Sequence, residues 1–226
     1  MVDKIRAAHL GVITALLITG CGGGGSGGSA PAAQQNLQSA SAPSQPLSVS
    51  ATTLTVTDSS GNSWSATFSS TPGGTGMFNG QSANTSAIAL TISENGAVVS
   101  TEDSTAYYLT NPYSPLGLSG TTNGTAWTAT ITSYTPLPST LTVGASGQLD
   151  SATYTDGMGN NIGSLTETYT VTGDDPDALF LNVDGAGSVN GVQEAETLTY
   201  AVASDGTLQG LVQVQITVNG STLTFT

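Results

Sequence analysis

Apolar and polar residues alternate in short runs along the chain from about residue 48 onward. Thr, Val, Ile and aromatic residues dominate these runs. A period of two with this composition predicts β-strands that bury one face. The runs are Thr52 to Thr57, Ser63 to Ser69, Ser86 to Ser93, Trp127 to Ser133, Thr166 to Thr172, Leu179 to Val183, Thr197 to Val202, Leu211 to Val218 and Ser221 to Thr226.

Turn-forming residues separate the runs, and several are Asn-Gly or Asp-Gly pairs, which favour the tight turns of antiparallel hairpins. No segment after residue 20 shows a helical period. The pattern predicts an all-β, antiparallel meander of about ten to thirteen strands that forms a sandwich or a barrel. The turns are Ser60-Gly61-Asn62, Glu94-Asn95-Gly96, Asn123-Gly124, Asp156-Gly157, Asp205-Gly206 and Asn219-Gly220.

A faint internal repeat relates two of these runs. The segment from Gly61 to Pro72 matches the segment from Gly124 to Pro136 with one inserted residue. The match is explained equally by two related β modules, residues 48–120 and 121–226, and by two similar strands of a Thr-rich chain. In either case Trp64 and Trp127 are predicted to lie inside as large apolar anchors.

The N-terminus has the features of an export signal. Lys4 and Arg6 precede an apolar run from Leu10 to Ile18. This run is shorter than the roughly 20 apolar residues that a membrane-spanning helix needs. A basic start, a short apolar run and small residues at its end predict a cleaved signal peptide over residues 1–20.

The end of this segment reads Leu17-Ile18-Thr19-Gly20-Cys21. It resembles the lipobox of bacterial lipoproteins, in which an aliphatic residue and two small residues precede a Cys. The resemblance implies cleavage between Gly20 and Cys21, a diacylglyceryl group on the Cys21 thiol and acylation of the new amino group. Such acyl chains would hold the protein on a membrane. Because Gly22 replaces the Asp that retains such lipoproteins at the inner membrane, the resemblance implies the outer membrane.

Residues 21–47 are predicted to form a tether between the lipid and the β domain of residues 48–226. The tether begins Gly-Gly-Gly-Gly-Ser-Gly-Gly-Ser and continues with Ala, Gln, Ser and Pro. Such a composition buries too little apolar area to fold.

The distribution of charge excludes many functions. All the basic residues, Lys4, Arg6 and His9, lie in the predicted signal, whereas Asp3 alone of the fifteen acids does, so fourteen acids and no cation remain after it. Nucleic-acid binding needs Lys or Arg, and a Ser-His-Asp nucleophile system needs His. Zinc, copper and haem sites lack their usual nitrogen and sulfur ligands. With Cys21 as the single Cys, no intramolecular disulfide forms.

Two chemistries remain available to such a chain. One is glycoside hydrolysis by a carboxylate pair, for which sequence spacing selects no residues. The other is calcium binding through oxygen ligands, for which Asp174, Asp175, Asp177 and Asp184 are the candidates, although a solvated acidic turn is the favoured explanation of these residues. Glu194 and Glu196 share a strand face and with Asp205 are candidates for a second site. Exposed positions on a polar face are the other interpretation of these residues.

Tyr107, Tyr108 and Tyr113 lie near prolines and predict a longer aromatic loop, a frequent place for partner contacts. The leading hypothesis is a lipid-anchored outer-membrane lipoprotein whose non-catalytic domain serves in binding, adhesion or envelope structure, with a protein or glycan partner. In architecture it is similar to surface-exposed lipoproteins of Gram-negative bacteria, including host-protein binders with β-barrel domains. The alternatives are a glycan-binding module or glycoside hydrolase, which surface aromatics beside a carboxylate pair would favour, and a calcium-stabilised structural module.

Overall fold

A computed structural model describes residues 39–41, 49–110, 112–173, 178–206 and 208–226. The predicted signal, Cys21 and most of the predicted tether lie outside these ranges. The strands are β1 (Ser39–Ser41), β2 (Val49–Thr57), β3 (Ser63–Phe78), β4 (Gln81–Glu94), β5 (Ala97–Thr110), β6 (Tyr113–Thr122), β7 (Thr125–Tyr134), β8 (Thr140–Thr142), β9 (Ser146–Asp156), β10 (Asn161–Thr172), β11 (Ala178–Val189), β12 (Val192–Ala203), β13 (Leu208–Val218) and β14 (Ser221–Phe225).

Twelve of these strands form one antiparallel sheet, from β2 through β7 and then from β9 through β14. Within this sheet each strand pairs with the strand that follows it in the chain, except that β7 pairs with β9. Strand β8 pairs instead with β1, which lies inside the predicted tether. The two edges of the sheet meet where Thr55 N donates to Thr226 O at 3.3 Å and Thr226 N donates to Thr55 O at 3.4 Å. The result is a nearly closed, barrel-like sheet, which confirms the predicted all-β antiparallel fold.

Alternation along each strand separates a packed interior from a hydroxyl-rich exterior. On β3 the side chains of Trp64, Ala66 and Phe68 are buried, and those between them are Ser65 and Thr67. Both Trp64 and Trp127 belong to the core, as predicted. No described segment forms a helix that is long and apolar enough to cross a membrane.

Asn-Gly turns join several neighbouring strands, and the Asn of several of these turns also bonds to the strand that precedes the hairpin. The Asn backbones have φ between 46° and 51°, which Asn and Gly tolerate better than other residues. Asn95, between β4 and β5, accepts from Ser63 N at 3.0 Å. Asn123, between β6 and β7, accepts from Thr101 N at 3.0 Å. These bonds satisfy backbone groups at the strand ends. The turns of this kind are Asn79-Gly80, Asn95-Gly96, Asn123-Gly124, Asn190-Gly191 and Asn219-Gly220.

Two longer turns use a common Asp-x-x-Gly-Asn pattern, Asp58 to Asn62 and Asp156 to Asn160. In each, the Asp carboxylate accepts from the Asn backbone N–H at 2.9 Å and from the Asn side chain. Asp58 also accepts from Trp64 Nε1 at 3.0 Å, and this bond is the main cause that lowers the pKa of Asp58 to about 2. Bonds from the Asn160 side chain and backbone lower the pKa of Asp156.

The prediction of a longer aromatic loop is wrong. Tyr107 and Tyr108 lie within β5 and Tyr113 begins β6, so only two residues of the chain separate the two strands. The sequence pattern missed β5 because inward positions of this strand are polar, including Glu102 and Ser104. The period-of-two signal assumes apolar inward positions.

The predicted module boundary between residues 120 and 121 falls inside β6. This strand pairs with β5 on one side and β7 on the other, so the sheet is continuous across the boundary. Descent from two related modules stays a prediction.

Candidate functional site

The predicted calcium ligands lie mostly outside the described residues. Asp174, Asp175 and Asp177, like Gly20 and Cys21, fall in undescribed stretches. Asp184 lies on β11, where Oδ1 accepts from Thr197 Oγ1 at 2.6 Å. Within the described ranges no three His, Cys, Asp or Glu residues are arranged to hold a metal ion. Calcium binding therefore stays a prediction.

Glu194 and Glu196 lie on one face of β12, as predicted, but their predicted exposure is wrong. They are 4% and 7% exposed and point into the interior. The residues opposite them on β11 are Gly187 and Gly185, which carry no side chain. At Gly187 the adjoining space is taken by the backbone of β10, since a Cβ atom there would overlap the Ser164 carbonyl oxygen.

Three further acids are buried, namely Glu102, Asp150 and Glu167. We call Asp150, Glu167, Glu194 and Glu196 the interior acid cluster, since they lie on β9, β10 and β12 around the same part of the interior. The chain contains no Lys, Arg or His after residue 9, so the described residues offer these acids no cationic partner. An unpaired charge in such a place is strongly disfavoured.

Strand register places most of the cluster in one row. Asp150 is directly opposite Glu167, Glu167 is opposite Gly185, and Gly185 is opposite Glu196. Because adjacent strands are about 4.8 Å apart, the Glu167 and Glu196 backbones are about 10 Å apart across Gly185. Tyr134 continues the row beyond Asp150.

Burial sets the protonation of this cluster. It raises the pKa of Glu196 to about 8, and the nearby Glu194 carboxylate adds to the effect. Burial likewise raises the pKa of Asp150 to about 7, which a hydrogen bond with Glu167 partly opposes. The pKa of the Tyr200 hydroxyl is also raised by burial, with the charges of Glu196 and Glu167 contributing. The interior thus favours neutral acids.

Several polar atoms of the cluster and its surroundings have no hydrogen-bond partner. They include Asp150 Oδ1, Glu196 Oε1 and the Tyr200 hydroxyl, on side chains that are at most 7% exposed. Buried polar atoms normally have a partner, because leaving one without costs about 1–3 kcal/mol. Protonated carboxyl groups suit such surroundings, because a protonated oxygen can donate a hydrogen bond.

Glu102 belongs to a separate buried chain of hydrogen bonds. Trp127 Nε1 donates to Thr122 Oγ1 at 3.0 Å, and the Thr122 hydroxyl donates to Glu102 Oε2 at 3.4 Å. These hydrogen bonds connect the Trp127 side chain to Glu102 on the inward face of β5.

The outer face of β3 to β7 carries a groove of about 690 Å³. Its outward positions hold small side chains, so the twisted sheet leaves a depression there. Asp103 is the one acid in its lining, and the Trp127 ring belongs to the core beneath it. We call this depression the outer groove; its outward lining residues are Ser69, Thr71, Ala87, Ala89, Asp103, Thr105, Ser119, Thr121, Ala126 and Thr128.

The tip of the β3–β4 hairpin packs on the outer face of the sheet, next to the outer groove along β5 and β6. Its Phe78 ring packs on Tyr107 with ring centroids 4.9 Å apart and lies against Gly117, where any side chain would collide with it. A second depression of about 470 Å³ lies beside the tip, with Asn79, Gln81 and Tyr134 in its lining.

The sequence contains a signal for the buried acids that the alternation of apolar and polar residues does not reveal. Taking Asn190-Gly191 as a hairpin turn sets Gly187 opposite Glu194 and Gly185 opposite Glu196. Glycine inside a strand often marks the close approach of another backbone, so the face that holds Glu194 and Glu196 is expected to be packed rather than exposed.

Comparison with known proteins adds no assignment. None of the protein-family models, curated proteins or solved structures compared with the chain matches it.

Proposed function

We propose that the chain is a lipid-anchored lipoprotein of the outer membrane whose β domain binds a partner without catalysis, through the outer groove. The lipobox that ends at Cys21 supports the anchor. The observation that carries the binding role is the outer groove itself, an open depression on the outer face of the sheet. Open, largely pre-formed depressions with a few polar groups are typical binding sites.

The distribution of acids supports a non-catalytic role. Glycoside hydrolysis needs two carboxyl groups on the substrate side, roughly 5–10 Å apart. The outer groove presents Asp103 alone among its lining residues, whereas the interior acid cluster is buried within the sheet. The Ser and Thr hydroxyls of the groove have no His to activate them.

The groove chemistry favours a protein partner. Hydroxyl groups can donate and accept, and so can match the polar backbone of a protein segment. Methyl groups of Ala and Thr supply contact area between the hydroxyls. A polyanionic partner is disfavoured, because the chain carries a formal net charge of −13.

A neutral glycan is the second candidate, favoured by the depression at the β3–β4 tip. Asn79 and Gln81 supply amide groups there, which can bind sugar hydroxyls. The larger outer groove has no aromatic ring exposed among its outward residues, so the protein partner is preferred.

The anchor is tested at Cys21. Replacing Cys21 with Ser is expected to abolish lipidation and to move the protein from the membrane fraction to the soluble fraction. Intact-mass measurement of the native chain should show an acylated N-terminal Cys. An unmodified thiol, or a chain that still carries residues 1–20, would contradict the anchor.

The groove is tested by photo-crosslinking in intact cells. A photoreactive residue at Ala87 or Ala126, both exposed in the outer groove, is expected to give a discrete adduct. The same residue at Thr166, exposed on the outer face of β10, is the matched control and should give none. An adduct that proteases degrade supports a protein partner, whereas a carbohydrate adduct supports the glycan. Equal adducts at all three positions would refute a specific groove.

A further inference from the structure

The interior acid cluster has no role in binding at the outer groove. The sheet separates the two, since the cluster faces inward from β9, β10 and β12 while the groove lies outside β3 to β7. Four carboxyl groups in one part of a core are costly unless something neutralises them. The burial of these four carboxyl groups therefore needs a separate explanation.

We propose that the interior acid cluster is a proton-binding site whose bound protons keep β9 to β12 paired. When these protons are lost, the sheet loosens at these strands. The row of Asp150, Glu167, Gly185 and Glu196 carries the proposal. A neutral carboxyl group can donate a hydrogen bond across this row, whereas two facing carboxylates repel each other. Pairing of β9 to β12 and protonation of the cluster carboxyl groups then favour one another.

Among the residues that the structure describes, no cation faces the cluster. The ionisable side chains around it are acids or phenols from β6, β7, β9, β10 and β12, and Tyr108 of β5 stacks at 5.7 Å on Tyr113. In the same row, β13 contributes Ile216 and β14 contributes Leu223. The groups facing the cluster are Tyr113, Tyr134, Asp150, Glu167, Glu194, Glu196 and Tyr200.

The orphaned atoms give independent support. Asp150 Oδ1, Glu196 Oε1 and the Tyr200 hydroxyl are buried without partners. The Tyr200 hydroxyl is close enough to Glu196 and Glu167 for their charges to act on it. With a proton on a carboxyl oxygen, that oxygen becomes a donor, and the acceptors around it gain a possible partner.

The sign of the pH dependence follows from the raised pKa values. Asp150 and Glu196 change from ordinary values of 3.8 and 4.5 to about 7 and about 8 on folding. Their stabilisation is therefore complete below about pH 4 and is lost as the pH rises to about 8. Asp58, with a lowered pKa, acts in the opposite direction and loses its contribution as the pH falls towards about 2.

The first experiment counts protons. Urea unfolding of the full chain, measured over a pH series, gives the number of protons that the folded state binds in excess of the unfolded state. Two excess protons raise the unfolding equilibrium constant about a hundredfold per pH unit between about pH 5 and pH 7. An excess of one proton or more supports the proposal, and an excess below one proton overturns it.

The second experiment locates the effect in the unaltered chain. Amide hydrogen exchange, corrected for its intrinsic pH dependence, is compared at about pH 6 and pH 8.5. Loss of protection is expected in β9 to β12 before β3 and β4. Equal loss in both regions overturns the proposal. Restoration by calcium chloride, but not by sodium chloride of equal ionic strength, also overturns it, because the site would then bind a metal cation.

The third experiment assigns the protons to residues. The double variant Glu194→Gln and Glu196→Gln is expected to hold about one excess proton fewer than the native chain. Asp103→Asn, which removes an exposed acid from the outer face, is the control and should leave the proton count unchanged. An unchanged count in the double variant overturns the assignment. Should that variant not fold, the exchange experiment on the native chain still decides.

Discussion

Replacing Gly187 with Ala is expected to destabilise the domain by about 3 kcal/mol, because the added methyl group has no space. A Cβ atom at Gly187 would overlap the backbone carbonyl oxygen of Ser164 and lie 2.7 Å from Leu165 Cα. Backbone atoms of a paired strand cannot move away as a flexible side chain can. Gly163 is placed similarly, with the Ser188 carbonyl oxygen in the way. The two glycines let β10 and β11 approach closely at this point.

Gly185→Ala on the same strand is the matched control. A Cβ atom there would meet Leu165 Cδ2 at 3.4 Å, an ordinary contact. A strain-free Gly→Ala change alters stability by less than about 1 kcal/mol. Urea denaturation followed by circular dichroism at about pH 5 measures both variants with the cluster protonated. Equal stability of the two variants would show that β10 and β11 are not held this closely.

Trp64→Ala is expected to cost about 3–5 kcal/mol, the range for truncating a large buried aromatic side chain. Trp64 is 1% exposed and is among the largest fully buried side chains. Its indole also donates to Asp58 Oδ2 at 3.0 Å, so the variant removes a bond that orders the turn from Asp58 to Asn62. A loss of this size is a large part of the total stability of a typical domain.

Trp64→Phe separates the two contributions, because it keeps an aromatic ring in the core but lacks the indole N–H. It should lose less than Trp64→Ala and still raise the pKa of Asp58. Met158→Ala serves as a surface control, since Met158 is 85% exposed and such changes stay within about 0.5 kcal/mol. Circular dichroism is again the readout, because removing a Trp alters the fluorescence. A Trp64→Ala loss no greater than that of Met158→Ala would contradict the core assignment.

The strands that could be predicted from the sequence have apolar inward positions. β3 and β4, for example, alternate large apolar residues with Ser and Thr. β5 and β9 were missed because their inward positions include Glu102, Ser104 and Asp150. A polar residue that faces inward looks, in sequence, like one that faces water. The arrangement of the strands in a nearly closed sheet depends on twist and register, which local patterns do not contain.

The candidate sites were harder to predict for the same reason. Glu194 and Glu196 were correctly placed on one strand face, but their burial depends on which face of β12 the twisted sheet turns inward, and the local pattern does not contain this. The row that joins them to Asp150 needs the register of four strands. The outer groove is formed by small outward side chains that are unremarkable in sequence, and its depth comes from the curvature of the sheet.

The meeting of Thr55 with Thr226 bears on the order of folding. Nearly every other strand pair joins neighbours in the chain, so successive hairpins can form early and locally, which favours rapid folding. The contact between β2 and the residue after β14 closes the longest loop in the domain, and that closure has the greatest entropic cost. We expect it to form last. Until it does, two strand edges stay open to other chains, the period in which the newly made protein is most prone to aggregate.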